Sequence, residues 1–139
     1  MAICLQEDET GNIWIGTNDN NFVGKGIEIV NPSQQSIKTI TAENGLNTND
    51  IRGLFYNQQQ MWIATGNGLN IIDNKIKHRS NEDVTALAED TRGKIWIVTI
   101  QSGVKIFDTA TETMHCFTTK QGLSSSEMED INTAGTIFY

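Results

Sequence analysis

Two pairs of neighbouring carboxylates, Glu7-Asp8 and Glu89-Asp90, are the side chains of this sequence best suited by type to move protons. Adjacent acids held in different environments can act as general acid and general base. Each pair, however, is followed by a glycine three residues after its aspartate, Gly11 and Gly93. That spacing makes a tight turn in which Asp caps backbone donors and Gly takes a positive φ. The turn recurs at matched positions, and a catalytic site breaks the symmetry of a repeat whereas a structural position obeys it, so turn capping is the preferred reading. The same argument applies to Trp14, Trp62 and Trp96, whose faces could cover a pyranose ring but whose regular recurrence predicts burial between neighbouring units. His78 and His115 are isolated in separate segments and read as surface or satisfied histidines. Cys4 and Cys116 have no Cys-x-x-Cys or Cys/His ligand spacing. A single long-range disulfide between them is the alternative to two small apolar residues in strands. No nucleophile elbow, zinc-protease motif or phosphate-cradling glycine loop is present. The chain is therefore read as non-catalytic, with no metal site and no cofactor.

What positions these residues is a repeat. Glu7-Asp8-Glu9-Thr10-Gly11-Asn12-Ile13-Trp14-Ile15-Gly16-Thr17 returns as Glu89-Asp90-Thr91-Arg92-Gly93-Lys94-Ile95-Trp96-Ile97-Val98-Thr99. A shorter third copy, Asn57-Gln58-Gln59-Gln60-Met61-Trp62-Ile63-Ala64-Thr65, lies between them. The tryptophans stand 48 and 34 residues apart, a mean of about 41, which is the range of four-stranded propeller blades. In the third unit, residues 84–88 read as strand A, 94–99 as B, 103–108 as C and 113–118 as D. The first two units supply 26–31 and 68–73 as strand C, with 36–41 and 75–79 as strand D. A further signal, Asn44-Gly45-Leu46-Asn47 and Gln121-Gly122-Leu123-Ser124, leads from one unit to the next. Segment 125–129 has the capping residues of a short helix but stands in a connection, and is read as loop. The expectation is an all-β chain of about three four-stranded antiparallel blades plus a partial fourth, a fragment of a larger propeller. Its units span approximately 2–49, 50–82 and 83–130, with a partial unit at 131–139. A solenoid of the same period is disfavoured by the four short strands and single Trp per unit.

Composition agrees. The chain has 139 residues, enough for one domain. Ile occurs 18 times against 13 for Leu and Ala together, and 16 Thr and 14 Asn favour strands and turns over helices. A net charge of −7 argues against nucleic acid and anionic membranes, which are recognised through clustered Lys and Arg. No apolar run approaches the roughly 20 residues of a membrane span, and the first residues lack a basic region and a long apolar stretch.

The pattern Glu-Asp-x-x-Gly-x-Ile-Trp-x-x-Thr, followed by a glycine-led strand ending in Asp or Asn and by Gly-Leu-Ser/Asn, resembles the two-component regulator propeller repeat. The resemblance covers nearly the whole chain. It implies a carbohydrate-sensing β-propeller, usually of seven blades, in the periplasmic sensor region of a hybrid two-component system, upstream of a membrane span and a histidine kinase. In this sequence no such segment is found, and 131–139 has Phe138 where Trp is expected. Function should then sit in loops that differ between units and emerge on one rim, the B–C and D–A connections. The candidate ligand-binding residues there are Asn21, Phe22, Lys25, Arg52, Asn67, Arg79, Gln101 and Lys120. Amides and Arg forks make paired hydrogen bonds to sugar hydroxyls, and the cations would suit an acidic sugar. The expected partners are an oligosaccharide and, because three units and a stub cannot close a ring, a second copy docked on the open blade ends. A protein-interaction scaffold and a propeller lyase or glycoside hydrolase are the competing functions.

Overall fold

The computed structural model describes residues 1–125, 130–131 and 137–138. Three antiparallel four-stranded sheets follow one another along the chain, each a simple up-and-down meander. The first holds β1 (Ala2–Glu7), β2 (Ile13–Asn18), β3 (Gly24–Asn31) and β4 (Ser36–Ile40). The second holds β5 (Ile51–Asn57), β6 (Gln60–Thr65), β7 (Gly68–Ile72) and β8 (Ile76–Ser80). The third holds β9 (Val84–Glu89), β10 (Ile95–Thr99), β11 (Gly103–Asp108) and β12 (Thr113–Phe117). β13 (Asp130–Ile131) and β14 (Ile137–Phe138) pair as the start of a fourth. First strands are neighbours, β1 beside β5, β5 beside β9 and β9 beside β13, so the sheets are propeller blades with strand A innermost. The expected strands all form, within two residues of their anticipated ends. The segment 125–129 read as loop lies, past Ser125, outside the described residues.

The repeated Thr and Gly of each unit have a steric cause. Gly68 and Gly103 open the third strands of their blades and Gly26 is the third residue of β3, with φ 126°, 75° and 88°. A Cβ on Gly26, Gly68 or Gly103 would fall 2.4, 2.0 or 2.2 Å from the carbonyl oxygen of Ile40, Ser80 or Phe117 on the fourth strand, so only Gly fits. The Thr that ends the second strand holds this corner: Thr65 Oγ1 donates to Gly68 O at 2.8 Å and Thr99 Oγ1 to Gly103 O at 2.9 Å. The Gly-Leu signal between units marks a single 3₁₀ turn, at Ala42–Asn44 and Thr119–Gln121. In each, a Thr and an Asn or Gln three residues later cap one another reciprocally, and Gly45 or Gly122 closes the turn in the left-handed region.

Blades stack through two distinct faces. Leu54, Met61 and Ile63 of the second blade meet Cys4, Trp14, Ile27 and Ile29 of the first. Leu87, Ile95 and Ile97 of the third meet Phe55, Trp62, Ala64 and Ile71 of the second. The Trp62 and Phe107 rings lie 5.6 Å apart across that seam. The expectation that the tryptophans are largely buried between units is met most fully by Trp62, 2% exposed, while Trp14 and Trp96 are half-buried against the core. Trp62 is covered by phenylalanines from its own and the next blade, whereas Trp14 borders an open groove left by the shorter turn of blade 2. The sulfurs also divide. Both thiols are free, Cys4 half-buried against the core and Cys116 exposed on β12, so the apolar-strand reading fits only Cys4.

Candidate functional site

The carboxylates that could have done proton chemistry are locked as acceptors. Asp8 Oδ1 takes the N–H groups of Thr10 at 2.9 Å and Asn12 at 3.0 Å, while Oδ2 takes the Trp14 indole N–H at 2.9 Å. Asp90 repeats this with Arg92 N, Lys94 N and Trp96 Nε1 at 2.8, 3.1 and 3.0 Å. Partial burial pushes the Asp8 carboxyl up, but the donors from Trp14, Thr10 and Asn12 outweigh it and bring it down to about 2. The Trp96 indole is the main cause holding Asp90 below the usual range. An acid with its lone pairs occupied and its proton lost at every ordinary pH is a poor general acid. Glu89 accepts from Asn57 Nδ2 at 2.9 Å and so ties the second and third units together.

On the rim of the B–C and D–A connections, the loop after β2 is organised by Asp19. Its Oδ1 accepts from Asn21 N at 2.9 Å and Val23 N at 3.0 Å, and Lys25 Nζ lies 3.2 Å from Oδ2. Those backbone donors hold the Asp19 carboxyl below its ordinary value. Phe22 sits at the tip with φ 62° and 74% of its surface exposed. Arg52 lies between two carboxylates. Its Nη2 is 3.2 Å from Asp50 Oδ2 and its Nη1 pairs with Asp83 Oδ1, bracing successive D–A connections. Asn67 and Gln101 line one cleft of about 380 Å³ between the second and third units, with Asn81, Glu82, Asp83 and Ser102. Glu82 pairs with Lys105; burial raises its carboxyl, and the hydrogen bonds from Lys105, Ser102 and Ser80 prevail and lower it. Arg79 is exposed on β8 and Lys120 is exposed in the second 3₁₀ turn.

Of the eight anticipated residues, then, Asn67 and Gln101 share a cleft, Arg52 supports its wall through Asp83, and Asn21, Phe22 and Lys25 form a separate loop on the first unit. Asn47 is the positioning residue that sequence reasoning missed. Its Nδ2 donates to Asn67 O at 2.8 Å and Ser80 O at 3.0 Å, and its N–H donates to the buried Asn70 Oδ1 at 3.0 Å. Its place directly after Gly45-Leu46 in the inter-unit signal was the available clue. His78 is a latch of the same kind, with Nε2 donating to Gly45 O at 2.9 Å.

The sequence model of the two-component regulator propeller matches residues 1–19 and 78–101. No curated protein sequence matches the chain. Among solved structures, the extracellular domain of a protein named as a hybrid two-component system of B. thetaiotaomicron superposes with TM-score 0.77 at 21% identity, over 93% of this chain and 18% of that one. A second extracellular domain from the same organism, named as a one-component system, gives 0.76 at 21% identity, over 94% and 21%. Virginiamycin B lyase from Staphylococcus aureus gives 0.61 at 14% identity, over 95% and 42%. The chain thus spans about a fifth of the length of these extracellular domains.

Proposed function

We propose that this chain, residues 1–19 and 78–101 of which match the two-component regulator propeller, is a ligand-reading segment of an extracytoplasmic sensor, binding a neutral oligosaccharide without turning it over. The observation that carries this reading is the 380 Å³ cleft between the second and third units, where the amides of Asn67, Asn81 and Gln101 and the hydroxyl of Ser102 converge. Side-chain amides offer a donor and an acceptor at fixed spacing, which suits neighbouring hydroxyls on a sugar ring. The charges around it are spent within the protein, Glu82 on Lys105 and Asp83 on Arg52. Lys25 is likewise engaged, with Asp19. The ligand favoured is therefore an uncharged sugar rather than the acidic one that the cations alone suggest. Signal transmission would follow from ligand bridging two units whose relative position is otherwise set by their packed faces. Absence of turnover is supported by the saturated aspartates and by the likeness to the extracellular domain of a two-component system.

The test is calorimetric titration of the chain with a panel of neutral and uronate-containing oligosaccharides, followed by product analysis of the same mixtures. A neutral oligosaccharide is expected to bind, and the double change Asn67→Ala, Gln101→Ala to weaken it by about tenfold or more, the equivalent of one good hydrogen-bonding pair. Binding insensitive to that change would remove the cleft from the site. Shortened products would make the chain an enzyme.

A further inference from the structure

The cleft between the second and third units departs from the repeat at one matched position. Asn18, Gly66 and Ile100 each follow the Thr of their second strand. Each N–H donates to the carbonyl oxygen of the residue just before its unit's first strand: Met1 at 2.8 Å, Asp50 at 3.0 Å and Asp83 at 3.1 Å. The backbone hydrogen bond is thus common to all three units, while the side chains differ. Gly66 leaves its wall open, because a Cβ would fall 2.3 Å from Asp50 Oδ2 and 3.1 Å from Arg52 Nη2, which pair with one another. Ile100, on the neighbouring unit's wall, is the one apolar side chain among the described residues that line the cleft. It is half-buried and belongs to none of the apolar clusters of the core among the described residues. Unit 1 carries Asn at the same place, so the fold itself does not demand an apolar residue there.

The surroundings of Ile100 specify a chemistry. The side-chain amides of Asn67, Asn81 and Gln101 form no hydrogen bond among the described residues, whereas Asn47 and Asn70 behind them bond one another at 3.2 Å. Each free amide offers both donors and an acceptor. The acids of the same wall, Glu82 and Asp83, are paired with Lys105 and Arg52, so no net charge is left to be matched. A branched alkyl group set among free amides complements a ligand group that carries an N–H, a C=O and a methyl on adjoining atoms. Among neutral sugar substituents the acetamido group combines all three. A hydroxyl in its place would lose water to a side chain that returns no hydrogen bond.

We propose that the cleft selects an acetamido sugar, its methyl group on Ile100 and its amide paired with the free side-chain amides beside it. The proposal rests on the oligosaccharide reading and narrows it to one class of ring. Calorimetric titration of the intact chain should compare trisaccharides, in the glucose and galactose series, that differ only in an acetamido or a hydroxyl group at C2. A third member with a 6-deoxy ring has a methyl and no amide. In one series the acetamido compound is expected to bind about tenfold or more tighter than its hydroxyl counterpart, from methyl burial and one amide pair together. Ile100→Asn, which installs the residue of unit 1, should erase that preference and leave the hydroxyl compound within about twofold of its original affinity. Ile100→Val, a change small enough to keep the fold, should lose an intermediate part of it. Equal affinities for acetamido and hydroxyl compounds, or a preference that both Ile100 variants retain, would overturn the proposal and leave the oligosaccharide reading standing. A 6-deoxy compound favoured as strongly as the acetamido one would also overturn it, since the methyl alone would then be read. If no compound of the set and no neutral oligosaccharide binds, the oligosaccharide reading fails and this proposal fails with it.

Discussion

With donors from three residues on its two oxygens, Asp8 is worth more to the fold ionised than protonated. Its carboxyl sits at about 2 in the folded chain against an ordinary 3.8, as does that of Asp73, where Lys77 is the leading cause. A depressed folded value contributes stability that is complete above the unfolded value and drains away as pH falls toward the folded one. The thermal midpoint should therefore hold above about pH 4 and drop between about 4 and 2. Asp8→Asn should lower the midpoint at neutral pH and flatten that acid limb, which differential scanning calorimetry across pH will read directly. The tryptophans divide on similar grounds. Trp62→Ala removes a side chain 2% exposed and should cost about 3–5 kcal/mol, whereas Trp96→Ala, half-buried, should cost less. Equal losses in urea melts would contradict the difference in packing. The spacing of Asp and Trp six residues apart was visible in both outer units, but the bond joining them was not, because only a paired register folds that distance back on itself.

At the scale of the element, the corner between second and third strands explains why each unit repeats a Thr and a Gly. Gly103→Ala needs a left-handed alanine and drives its Cβ toward Phe117 O, so a lowered midpoint and a loss above about 1 kcal/mol are expected. Gly53 offers a control within a strand, where a Cβ meets only Ala64 Cβ at 3.6 Å. Gly53→Ala should be neutral or mildly stabilising, and the reverse order of the two variants in a thermal melt would refute the steric account. Strands were legible because their ends are marked by these residues and their interiors by alternating Ile, Val and Leu. The rim cleft was legible only in part. Asn67 and Gln101 belong to loops about a unit apart, and their meeting depends on the angle between blades, which no local pattern encodes. The groove beside Gln58 was hidden for the same reason, although the one-residue deficit of its turn was plain in the sequence.

For the whole molecule, the two blade faces matter more than any one loop. Leu5 of the first blade matches Leu54 and Leu87, which are packed on a neighbour's tryptophan face, yet Leu5 is 68% exposed and Ile3 39%. Exposed apolar residues on the surface that the second and third blades use for stacking are expected to make the chain associate with itself. Light scattering over a dilution series should show mass rising with concentration, and Leu5→Asp should abolish the rise; a monomer at all concentrations would refute this. The same arithmetic of faces bears on how the chain opens. The middle blade is enclosed on both sides, by one seam built around Ile51, Met61 and Ile63 and another around Trp62, Leu69 and Ile71. In a linear array where each unit touches only its neighbours, fraying starts at the ends and travels inward. Amides of β6 are thus the last to surrender their protons to deuterium, and the lifetime of that central strand sets how long the array persists between one opening and the next.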